Sequence, residues 1–102
     1  MRERINMKIP KKVRVGPLVY KVRYDPNLRT DKGEMLFGTT LFSEQEIVIF
    51  PHLSHEKKCE TFLHELLHAI SAYYGLWWEE EKVGTMAPVL YDTLNRNGLL
   101  SK

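Results

Sequence analysis

Cysteine is almost missing from this 102-residue chain, where Cys59 stands alone. One cysteine excludes an internal disulfide framework, and a reducing cytoplasm is the expected setting. Long apolar runs are missing as well. No stretch reaches the roughly 18 apolar residues that a membrane-spanning helix requires, so no membrane association is expected. Charge of one sign barely accumulates: 15 Lys and Arg against 13 Asp and Glu leave +2, too little to argue for nucleic acid. The basic run from Arg2 through Arg4, Lys8, Lys11 and Lys12 to Arg14 lacks the interleaved aromatics of a base-stacking platform and reads as a solvated terminus. No apolar signal region or cleavage site follows it, so export is not expected. Internal repeats, low-complexity tracts and phosphate-cradling glycine loops are absent. What remains is 43% apolar and 27% charged, the balance of a globular protein. At this length it makes one domain, 1–102, with one core and no separate substrate domain.

The informative residues are His64-Glu65-Leu66-Leu67-His68. On an α-helix, residues four apart share a face, about 6 Å apart along the axis. Two imidazoles so placed can converge on one Zn²⁺. Glu65, next to the first histidine, is placed to act as general base toward a water on the ion's open position. The segment reads as helical from end to end. Ser54 is the expected N-cap and Gly75 the left-handed C-cap. Between them Cys59, Phe62, Leu63, Leu66, Leu67, Ile70 and Tyr73 or Tyr74 recur at three- and four-residue spacing. Thr61, His64, Glu65 and His68 form an adjoining stripe expected to border a cleft. Cys59 falls on the apolar face and reads as packing. His52 and His55 read as loop and first-turn residues.

A catalytic zinc needs a third protein ligand. Trp77-Trp78 precedes Glu79-Glu80-Glu81, after which Val83, Met86, Ala87, Leu90, Tyr91 and Leu94 keep a helical period. A second helix is expected from about Glu79 to Asn95, with a kink at Pro88 and a stop at Asn95-Arg96-Asn97-Gly98. Glu80 heads the inward row, three residues before Val83 and seven before Ala87, which favours it as the ligand. Glu81 aligns with Gly84, Thr85 and Pro88 and is the alternative. Glu79 sits where it would cap the helix or complement its dipole.

These residues bear a family resemblance. An HExxH helix followed by a glutamate that opens the next helix resembles the gluzincin zinc metallopeptidases. The run Thr61-Phe62-Leu63-His64-Glu65-Leu66-Leu67-His68-Ala69-Ile70, with Gly75-Leu76 and Glu80-Glu81-Lys82-Val83, is similar to small phage and prophage metallopeptidase-like proteins and, through them, to the ImmA/IrrE peptidases. The Glu-x-x-Ala-Asp or Glu-x-x-Ala-Asn turn of gluzincin relatives is matched by Glu80-Glu81-Lys82-Val83-Gly84, with Val83 in the alanine place. Gly84 lacks the following carboxylate or amide, so support for the ligands from that position is absent or comes from elsewhere.

Upstream, Glu34 to Phe42 and Glu46 to Phe50 read as two strands joined by Ser43-Glu44-Gln45. Lys11 to Tyr24 alternates through Val13, Val15, Leu18, Tyr20 and Val22, with a turn at Gly16-Pro17. The expected fold is therefore α+β. The resemblance implies a minimal zincin-like form: a short, twisted, antiparallel-rich sheet packed on the HExxH helix, with the second helix following. It also implies that an edge strand, expected around Phe37 to Thr40, aligns a peptide or protein substrate by β-augmentation.

The function expected is zinc-dependent peptide hydrolysis, with His64, His68 and Glu80 as metal ligands and Glu65 as general base. Tyr73, Tyr74 and Tyr91 are oxyanion-stabilising candidates by residue type alone. Two other functions compete. One is a structural or regulatory zinc module closed by a fourth ligand such as His52 or Cys59. The other is a DNA-associated accessory protein, since SprT-like proteins resemble this pattern. That idea rests on Lys8, Lys11, Lys12 and Arg14. Substrate identity and oligomeric state are not written in the sequence.

Overall fold

A computed structural model describes residues 7–100; Arg2 and Arg4 of the basic run lie outside the described residues. The described residues form four strands and then two helices: β1 (Lys12–Val15), β2 (Leu18–Tyr24), β3 (Gly38–Leu41), β4 (Glu46–Ile49), α1 (His55–Tyr74) and α2 (Glu80–Arg96). The class is α+β. The sheet is mixed, in the order β1-β2-β4-β3, with antiparallel β1/β2 and β3/β4 pairs and a parallel β2/β4 pair. That parallel pairing departs from a plain meander. Residues 25–37 carry the chain away from β2, so that β4 lands beside β2 and β3 is left at the edge.

Local chemistry explains the elements. Gly16 takes φ +58 in the two-residue turn closing β1/β2, the sign required of glycine at the first turn position. Val13, Val15, Tyr20 and Val22 face the core, while Lys12, Arg14, Lys21 and Arg23 are exposed on the other face. There Lys12 pairs directly with Lys21, and Arg23 bonds Glu46 at 3.0 Å. The strand expected from Glu34 is shorter than the alternation suggests. Residues 34–37 instead follow a turn at Gly33, with Met35 bridging Arg29.

Both caps of α1 are as expected. Ser54 accepts a bond from the Lys57 N–H at 3.1 Å, and Gly75 is left-handed, its N–H on the Ser71 carbonyl. Helix α2 continues through Pro88 as one element. Glu79 occupies its N-cap position, but its side chain makes no capping bond; Glu80 and Glu81 put negative charge at the positive end of the helix dipole.

The backbone of helix α1 lies against β1, β3, β4 and α2, whereas that of α2 comes close only to α1 among these elements. Cys59, Phe62, Leu63 and Ala69 of α1 join Val15, Tyr20, Ile47 and Ile49 of the sheet, and Ala87 and Tyr91 of α2, in one core. Tyr73 and Tyr74, at the end of the periodic row, are exposed. Between the helices Trp77 takes φ +59, a conformation that costs a non-glycine residue about 1–2 kcal/mol. No helix among the described residues is long and apolar enough to cross a membrane.

Candidate metal centre

The stripe beside the apolar face of α1 opens onto a groove of about 620 Å³, lined by Thr61, His64, Glu65 and His68 from α1, Gly38 to Thr40 from β3, and Glu80, Gly84 and Pro88 from α2. One helical turn separates the two histidines, so both rings lean toward the same point; their centroids are 4.9 Å apart. The first turn of α2 comes up against that point. His64 Nε2 lies 2.8 Å from Glu80 Oε2, and His68 Nε2 lies 2.7 Å from Glu80 Oε1. One carboxylate thus spans both imidazoles. Nitrogen and oxygen donors of His64, His68 and Glu80 lie within 4.8 Å of one another, so these three residues could hold a metal ion.

Glu65 points elsewhere. Being one residue on from His64, it turns about 100° around the helix, toward β3, where it is 7% exposed. The Thr40 hydroxyl lies 2.7 Å from Glu65 Oε1 and 3.1 Å from the Glu65 carbonyl. Burial pushes the Glu65 carboxyl above the usual carboxylate range. The Thr40 hydrogen bond and the charge of the two histidines pull it back, and the Glu80 charge adds to the rise. A carboxylate held in this way is a proton acceptor of raised basicity beside a cluster of metal-type donors. Gly38 makes the approach possible. A Cβ there would lie 2.6 Å from Thr61 Cγ2 and 3.3 Å from Glu65 Cγ.

The open edge of β3 runs along this groove. Phe50 N–H donates to the Phe37 carbonyl at 2.8 Å, and the register pairs Gly38 with Ile49 and Thr40 with Ile47. By antiparallel alternation, the backbone N–H and C=O groups of Gly38 and Thr40 therefore point away from β4. No other strand among the described residues takes them.

Other residues singled out in the sequence lie elsewhere. Glu81 is exposed and outside the donor group. Tyr73 packs over Gly16 of the β1/β2 turn, Tyr74 is exposed, and Tyr91 is buried near Cys59; none lines the groove. His52 stacks edge-on against Phe50. His55 Nε2 lies 2.7 Å from the Met7 carbonyl and 3.4 Å from the buried Cys59 thiol. Sequence reasoning placed Thr40 in the expected edge strand but missed its contact with Glu65. A threonine in a short strand carries no sign that it will meet a helix residue 25 positions later. Comparison with known proteins finds no matching family model, no matching curated protein and no matching solved structure.

Proposed function

We propose that this chain is a zinc-dependent metallopeptidase, a minimal zincin-like domain of the gluzincin kind similar to small phage and ImmA/IrrE-like peptidases. The observation that carries the reading is the convergence of His64, His68 and Glu80 beside a buried, hydrogen-bonded Glu65 in an open groove. Two imidazole nitrogens and one carboxylate are the donor set of a three-ligand catalytic zinc site. His64, His68 and Glu80 would hold the ion, each offering one donor atom within 4.8 Å of the others.

When bound, zinc supplies Lewis acidity, which polarises a carbonyl and makes a nearby water more acidic. The chain's own residues do the rest. The outward N–H and C=O groups of Gly38 and Thr40 hold an extended peptide along β3. Glu65 removes the proton from the attacking water and returns it to the leaving amine. Thr40 is a positioning residue, fixing Glu65 through its hydroxyl. The substrate class is therefore peptide or protein, and Cys59, a buried free thiol, fits a cytoplasmic setting.

A closed structural zinc site has less support. Its candidate fourth ligands, His52 and Cys59, lie outside the donor group. Nucleic-acid association rests on the exposed Lys8, Lys11, Lys12 and Arg14, and salt-sensitive retention on DNA would support it. The deciding experiment is metal content of wild type, Glu80→Ala and Glu81→Ala, purified without chelator. One zinc per chain, lost with Glu80 and kept with Glu81, is expected. A wild type that takes up no zinc on reconstitution overturns the proposal.

A further inference from the structure

We infer that a hollow beside His68 is a binding subsite for an aromatic side chain of the substrate, an inference that rests on the peptidase reading and adds the residue type selected. The hollow measures about 290 Å³ and is lined by Phe42, His68, Ser71, Ala72, Gly75, Trp77 and Trp78. Phe42 and His68 also line the main groove, so the two spaces adjoin, and a peptide lying along β3 passes beside the hollow. The size falls just below that of small-molecule sites, which span about 300–1,000 Å³, and suits one side chain. Three aromatic residues wall it over the small Ala72 and Gly75, an arrangement that takes a ring offset-stacked or edge-on. No Lys, Arg, Asp or Glu lines it, which disfavours a charged side chain.

The hollow is built. Residues 75–78 fold back onto Ser71, whose carbonyl accepts the N–H groups of Gly75 and Leu76 and whose hydroxyl accepts the Trp78 N–H at 2.9 Å. Ser71 is itself buried. This pinning holds Trp77 at φ +59 while leaving it 88% exposed. Burial of its own ring does not account for the strained backbone. A strained, exposed aromatic at the mouth of a groove is where a binding role is expected.

The chain has two tryptophans, and both line the hollow, so their indole N–H resonances report occupancy directly. The test titrates N-acetyl-phenylalanine amide against N-acetyl-alanine amide, read by ¹H–¹⁵N NMR. The aromatic amide is expected to shift both indole signals saturably and to bind at least tenfold more tightly than the alanine amide. Trp77→Gly, which suits the left-handed backbone, is expected to fold like wild type and to bind the aromatic amide at least fivefold more weakly, read on Trp78. No indole shift, equal affinity for the two amides, or wild-type binding by Trp77→Gly would overturn the inference. Zinc content of the same samples separates the two readings. Zinc uptake without indole shifts overturns the subsite alone. Indole shifts in a chain that takes no zinc keep the aromatic site and overturn its place in a peptidase.

Discussion

Thr40→Val removes one hydroxyl and almost nothing else, so it isolates how Glu65 is held. The hydroxyl has a single proton, and the 2.7 Å contact to Glu65 Oε1 takes it in preference to the 3.1 Å contact to the Glu65 carbonyl. A hydrogen bond to a charged group contributes about 1.5–3 kcal/mol, and Glu65 is buried, so little solvent replaces it. With urea slopes of about 1–3 kcal/mol/M, the metal-free variant should lose roughly 1 M in denaturation midpoint at neutral pH. The pH dependence is the sharper part. Glu65 has a native pKa raised above its unfolded value, so over that interval the native state binds more protons than the unfolded chain. Stability then falls as pH rises through the interval and stays lower above it. Thr40→Val withdraws the largest influence pulling the pKa down, extending the fall to higher pH. The two stability curves should lie closer in acid, where only a neutral hydrogen bond of about 0.5–1.5 kcal/mol is lost, and separate further once the wild-type Glu65 ionises. Urea midpoints measured across pH 4–8 would refute this if the variant matched wild type at pH 7, or if its deficit were as large in acid. Zinc should still bind, and hydrolysis should drop by about 10–100-fold, the rate equivalent of about 1.4–2.7 kcal/mol.

Glu65→Gln should retain zinc, lose hydrolysis and, as metal-free protein, unfold at a higher urea concentration than wild type above the native Glu65 pKa; the gain should vanish in acid, where wild-type Glu65 is neutral. Gly38→Ala places a methyl 2.6 Å from Thr61 Cγ2 and 3.2 Å from the Val48 carbonyl. Overpacking of this kind costs about 1–3 kcal/mol, so calorimetry should show Tm lowered by about 4–8 °C per kcal/mol. Zinc at a hundredfold excess over its Kd should stabilise wild type by about 2.7 kcal/mol; His68→Ala should show no such gain, and an equal gain there would remove His68 from the ligand set.

Legibility in the sequence followed range. The caps of α1 at Ser54 and Gly75, the shared face of His64 and His68, and the Gly16 turn are set by residues within a few positions of each other, and periodicity exposes them. The meeting of Glu80 with His64 and His68 was legible because one short loop and a helix start separate them. The edge position of β3 was readable from resemblance. The parallel pairing that creates it was not, because nothing local says that β4 will choose β2. The Thr40–Glu65 contact stayed hidden for the same reason, because it joins separate layers. The tyrosines went the other way. By type all three suited an oxyanion, but the helical rows send Tyr91 into the core and Tyr73 over Gly16.

The backbone of helix α2 comes close to no strand, and the carboxylate that bridges the histidine pair sits in its first turn. Glu80 is thus a rivet as well as a candidate ligand: it clamps the start of the last helix to α1, while Ala87 and Tyr91 hold it further along. A change of occupancy at the histidines is therefore a mechanical event for α2. It should reach the amide exchange of residues 80–84 first, leaving β2 and β4, locked in the sheet on the far side of α1, as the last to notice.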